Sequence, residues 1–154
     1  MSAHPAPIPH IFSPSEGKCH TIKNKKKKKE EMETGLTHTS TLLVGEQHLA
    51  SSVGSGDLAV LATPVMISLM ENAAMLAVAD ALSPGETTVG SEMSASHVRP
   101  TGVGDTVVAV ARLVAVDGRR LEFEVEASDS RGVIGSGKHV RYIVGRERFM
   151  AKLG

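Results

Sequence analysis

One segment limits what this chain can fold into more than any other: "ATPVMISLMENAAMLAVADALSPGE", Ala62 to Glu86. Thr63 is a favoured N-cap type, and Pro64 suits the first helical position, where its missing N–H costs nothing. Ser83, Pro84 and Gly85 stop the helix. Between these signals lie the 19 residues Pro64–Leu82, apolar nearly all round. A helix with so little polar surface is buried within a larger structure instead of lying on its surface. Glu71 stands in its middle, with Asn72 beside it.

The rest of the chain supplies a sheet to cover that helix. Residues 36–44, "LTHTSTLLV", have the Thr, Val and Leu content of a strand. Residues 45–62 contain Gly45, Gly54, Gly56 and Ser51-Ser52, and read as a loop or lid with short ordered pieces. After the helix, residues 87–98 and 106–116 are strand candidates, and Asp117-Gly118 signals a type I′ hairpin. Residues 119–128 return in strict alternation: Leu121, Phe123, Val125 and Ala127 face one way, Glu122, Glu124 and Glu126 the other. Asp129 to Gly132 make a second turn, residues 133–144 the last long strand, and "GRERFMAKLG" a short terminal helix. One sheet covers only one side of a helix. A helix this apolar therefore needs the sheet to curl around it and a second subunit. The expected fold is α+β, the hotdog arrangement, with a long central helix wrapped by a curved antiparallel β-sheet. Two such sheets pairing edge to edge in a homodimer, alone or within a higher homo-oligomer, would also cover an edge strand.

The 154 residues suit one domain with its own core. Charge divides them: residues 1–34 carry seven Lys and four Glu, whereas residues 35–154 carry ten basic and thirteen acidic side chains. Pro5, Pro7, Pro9, Pro14 and the Lys25–Lys29 run mark residues 1–34 as a disordered basic tail, ahead of a hotdog domain at 35–154. The single cysteine, Cys19, falls in that tail as an incidental thiol, so the fold needs no oxidising compartment and a cytoplasmic location is expected. No apolar run reaches the roughly 20 residues of a membrane span, and the N-terminus lacks a signal-peptide core. No membrane partner is expected. With three Phe, one Tyr and no Trp, the chain lacks stacking rings for single-stranded nucleic acid, and its net charge of zero supplies no steering field. No nucleic-acid partner is expected.

Chemistry concentrates on three residues. Glu71 is costly to desolvate without a partner, so it is either substrate-facing, held by a structural hydrogen bond, or on a turn that reaches solvent. Thr63 lies eight residues earlier, about two turns away on the same side of the helix. Capping and function are compatible there, because a helix N-terminus also stabilises negative charge. His97 ends the strand "SEMSASH" beside a loop, a common place for a general acid or base, though a lone His is more often a surface residue. His38, His48 and His139 carry the same weak signal, and the tail's His4, His10 and His20 less. "GVIGSGKH" imitates a phosphate loop, but His139 stands where Ser or Thr belongs and strand follows where a helix is needed. Neither a G-x-S-x-G elbow nor a metal-ligand spacing is present, so no metal is expected.

Taken together, the helical segment, "VGSEMSASHVRPTGVGDTV", "DGRRLEFEVEASD" and "IGSGKHVRYIV" resemble the fluoroacetyl-CoA thioesterase-like hotdog family over about residues 36–152. Thr63, Glu71 and His97, eight and 26 residues apart, match the spacing of that family's catalytic Thr, Glu and His. Gly90 matches a glycine whose backbone approaches the acyl group, and Arg141 an arginine near the pocket. The resemblance implies hydrolysis of an acyl-CoA to carboxylate and CoA without metal or cofactor. It implies His97 as general acid or base and Thr63 as hydrogen-bond partner of the carboxylate or of the thioester oxygen. Glu71 would orient a partner, activate water or attack directly, and it stays open whether Thr63, Glu71 or neither is the nucleophile. The fluoroacetyl-specific enzyme carries aromatic residues in its lid, whereas "SVGSGDLAVLA" has no ring, so a short or medium acyl group is expected here.

The principal alternative is a non-catalytic hotdog module that binds acyl-CoA or acts as a structural dimer. The mid-helix Glu71 argues against it. A hydratase on the same fold lacks paired Asp and His in a short segment. A nucleic-acid role for the Lys run conflicts with the acidic body.

Overall fold

Alternation in the sequence becomes a sheet with one face turned to a helix. The computed structural model describes residues 31–154. The Cys19 and Lys25–Lys29 expectations lie outside the described residues. Glu31–Gly154 form one unit, and Met32 already packs against its core.

The elements, in order, are β1 (Thr37–Leu43), a 3-10 turn (Glu46–His48), α1 (Ala50–Val53), α2 (Thr63–Val78) continued by a 3-10 turn (Ala79–Ala81), β2 (Glu86–His97), β3 (Thr106–Asp117), β4 (Arg120–Asp129), β5 (Gly132–Gly145) and α3 (Arg146–Ala151). The strands form one antiparallel sheet in the order β1-β3-β4-β5-β2. Strand β2 does not pair with β3, its successor in the chain. It crosses to the far edge beside β5, which carries His97 away from the loop that follows helix α2.

The buried face of β3 and β4 carries Val107, Ala109, Ala111, Leu113, Leu121, Phe123, Val125 and Ala127. Against it α2 lays Met66, Met70, Ala73, Ala74 and Val78, a stripe at helical spacing. Ile67 and Leu69 are only partly buried, and Leu76 is 40% exposed. The expectation of a helix buried all round therefore holds for one face only, because a single sheet has one concave side to offer. The run Thr63–Ala81, 19 residues with mean hydropathy 1.2, does have the length and composition of a membrane span, contrary to the expectation above. The stripe packed on the sheet identifies it as a core helix.

Two details of the sheet bear on the site. At Gly135 an added Cβ would stand 2.8 Å from Met66 Sδ, so this glycine lets the helix approach β5 directly opposite His97, its cross-strand partner. The β3–β4 hairpin loop is Gly118–Arg119, since Asp117 still pairs with Arg120. Gly118 has φ +58° and no non-glycine residue among the described residues has positive φ, so the turn follows the II′ pattern and not the expected I′.

Candidate active site

The first surprise is at the start of α2. The N-cap is Ala62, whose side chain offers no hydrogen bond, and Thr63 is already helical, with Pro64 following in the first turn. The Thr63 hydroxyl is thereby released from capping. It lies 2.7 Å from His97 Nδ1 on the last residue of β2. That is a nucleophile–base distance. His97 Nε2 is buried and has no hydrogen-bond partner among the described residues. Either tautomer leaves this atom unmet: as a donor if Thr63 donates to Nδ1, as an acceptor if Nδ1 donates to Thr63. An unmet buried polar atom costs about 1–3 kcal/mol, so a reacting group or water is its natural partner. Burial lowers the His97 pKa below 6.5, opposed in part by the Arg99 backbone. The imidazole is neutral near pH 7 and able to accept a proton.

Glu71 belongs to a second cluster. Its side chain is 43% exposed, so in one chain this turn of the helix reaches solvent. Glu71 Oε2 faces Arg141 Nη1 at 3.9 Å. Arg141 is held on two further edges, with Nε donating to Thr88 Oγ1 at 2.8 Å and Nη2 to the Thr88 carbonyl at 2.9 Å. Burial pushes the Arg141 pKa down and the Glu71 charge pushes it up. Gly90 borders all of these groups. A Cβ there would meet His139 Cε1 at 3.1 Å, Glu71 Oε2 at 3.3 Å and Arg141 Nη1 at 3.4 Å. Any larger residue would fill the space where the three side chains converge. A β-bulge between Gly90 and Glu92 breaks the β2–β5 register at this point.

The structure thus joins Thr63 to His97, and Glu71 to Arg141 and Gly90. It does not place His97 against Glu71 within one chain: eight residues of helix separate the two clusters by about 12 Å of rise. Two cavities on the sheet, of about 590 and 510 Å³, include neither Thr63, Glu71 nor His97.

Sequence reasoning missed the brace behind the first cluster. Asp129, its side chain wholly buried, accepts from Arg99 at 2.9 Å and from the Thr101 hydroxyl at 2.8 Å. Arg99 lies two residues after His97. The Thr101 carbonyl accepts the Leu61 N–H at 2.8 Å, two residues before Thr63. One carboxylate therefore braces both strands of chain that deliver the pair. Burial would raise its pKa; hydrogen bonds from the Arg131 N–H and Thr101, with the charges of Arg99 and Arg131, outweigh that and hold it low. A lone Asp at a predicted turn gave no hint of this role.

A long helix in the cup of an antiparallel sheet, with a hydroxyl–imidazole pair at its start, defines a hotdog-fold thioester hydrolase. The family model for fluoroacetyl-CoA-specific thioesterase matches residues 44–147. The fluoroacetyl-CoA thioesterase of Streptantibioticus cattleyicolor is 43% identical over 94 residues, 61% of this chain and 68% of that protein. A solved structure of the fluoroacetyl-CoA thioesterase superposes with a TM-score of 0.74 at 34% identity, covering 79% of this chain and 95% of that one. A Thermus thermophilus protein described as a thioesterase superfamily member superposes with a TM-score of 0.74 at 26% identity, over 80% of this chain and 92% of its own. The chain belongs to the fluoroacetyl-CoA-specific thioesterase family.

Proposed function

We propose that this chain hydrolyses a short or medium acyl-CoA thioester to a carboxylate and CoA, with Thr63 and His97 as the reacting pair. The observation that carries this reading is the 2.7 Å Thr63–His97 bond with Nε2 left unmet. His97 takes a proton from the Thr63 hydroxyl or from a water beside it. The oxygen attacks the thioester carbonyl, the C–S bond breaks, and the imidazolium returns its proton to the departing CoA sulfur. Where Thr63 has attacked, a water activated by the same imidazole then cleaves the acyl ester. Glu71, Arg141 and the Gly90 backbone converge in a second cluster two helical turns away, which the family resemblance assigns to the substrate. The lid, residues 45–62, has no Phe, Tyr or Trp, which favours an ordinary acyl chain over a fluorinated one.

The chain is further read as a cytoplasmic homodimer. The half-covered apolar face of α2, with Leu76 40% exposed, supports a second copy, and size measurement by light scattering at micromolar concentration checks it. A panel of acyl-CoA substrates with a thiol-detecting reagent tests the activity. We expect thiol release from short or medium acyl-CoA, lowered by roughly two orders of magnitude or more in Thr63→Ala. Tight acyl-CoA binding with no thiol release would instead favour the non-catalytic module.

A further inference from the structure

His139 is almost completely buried, only 2% exposed, and takes no part in the reaction above. Its Nδ1 lies 2.7 Å from the Glu92 carbonyl oxygen. A carbonyl can only accept, so Nδ1 carries the proton. In the neutral ring Nε2 is then a bare lone pair. Arg141 Nη1, which can only donate, sits 3.2 Å from that lone pair. With Nε and Nη2 on Thr88, each of the three guanidinium nitrogens has a partner. Of these groups only Nη1 also faces Glu71 and the space beside Gly90.

We propose that His139 is a positioning residue for thioester hydrolysis: its Nε2 lone pair, enforced by the Glu92 carbonyl, aims the Arg141 cation at Glu71 and the Gly90 space. The inference rests on the thioesterase reading of that site. Lysine could not replace Arg141 here, because one ammonium cannot meet Thr88, His139 and Glu71 in a plane. Burial lowers the His139 pKa below 6.5, so the lone pair is available at neutral pH. The ring also packs on Phe123, with centroids 6.3 Å apart. A purely structural role would need that packing and nothing more, so the two roles separate by substitution.

His139→Phe keeps the packing and loses the lone pair. His139→Gln carries an amide oxygen near the Nε2 position, and His139→Asn is too short to reach Arg141. We expect His139→Phe and His139→Asn to lower kcat by about tenfold or more with smaller changes in KM, and His139→Gln to recover most of it. In an Arg141→Ala background, His139→Phe should change kcat by less than about twofold, since its effect passes through Arg141. Equal losses in both backgrounds, or a Gln variant as damaged as the Asn variant, would overturn the proposal. Nitrogen-15 shifts of the imidazole give a readout independent of turnover and of any variant's folding. The Nδ1–H tautomer is expected, and the Nε2–H tautomer overturns the proposal. A wild-type chain that releases no thiol overturns the thioesterase reading, and the tautomer still decides whether His139 grips Arg141.

Discussion

Two polar clusters lie two helical turns apart along α2, and they are built on opposite plans. At the helix start, Thr63 and His97 share one hydrogen bond and leave Nε2 without a partner among the described residues. Further along, Arg141 has Thr88 and His139 at its three nitrogens and a carboxylate facing it. The first cluster is left incomplete; the second is held rigid. An atom with an unmet bond is one that a reacting group can engage, whereas a cation held at all three of its nitrogens presents a fixed charge. The contrast assigns proton transfer to the His97 end and electrostatic positioning to the Arg141 end.

The contrast is open to attack. The largest expected effect is at His97: His97→Ala should cut kcat/KM by roughly two to four orders of magnitude without a fall in thermal midpoint, measured by thiol release and calorimetry. Wild-type turnover in this variant breaks the assignment. Glu71→Gln should also lose roughly two orders or more. The double variant sharpens the comparison, since losses that fail to add show both clusters serving one transition state, and simple addition shows them independent.

Asp129→Asn attacks the brace behind the first cluster, and urea unfolding should show a loss of about 1–3 kcal/mol as buried charge-assisted bonds weaken. Unchanged stability would remove the brace from the account. The smallest effect is in pH. The pKa values of His97 and His139 are both depressed below 6.5 in the folded chain, so below that pH the unfolded chain binds more protons. Stability should fall as pH drops through 6.5. His139→Gln should make that fall shallower, as read from urea midpoints between about pH 7.5 and 5.5.

Much of the fold was legible because it rests on local pattern. The alternation of Leu121, Phe123, Val125 and Ala127 against three Glu became the buried and open faces of β4. Pro64 and the Ser83-Pro84-Gly85 stop bracketed the helix; Thr63, Glu71 and His97 came to notice through their places in it and in the strand, and Gly90 and Arg141 only through the family resemblance. Two local inferences failed for a shared reason. The Thr63 cap and the I′ turn were read from favoured residue types, but Ala62 took the cap position and Asp117 stayed in the ladder with Arg120. Propensity states what a residue can do, and the surrounding packing chooses among the possibilities.

The roles of Asp129 and His139 were invisible because each also depends on a partner far along the chain. Asp129 joins segments that begin at Leu61 and Arg99, and His139 reads a carbonyl across the sheet on β2. What the sequence determined by itself was the identity of the elements and the residue types able to do chemistry, since hydrophobic periodicity and turn residues act over a few positions. What only the tertiary structure decided was the company each side chain keeps. The crossover of β2 to the edge beside β5 brought His97 to Thr63 and Gly90 to Arg141, and hydrogen bonds reach about 3 Å whatever the distance along the chain.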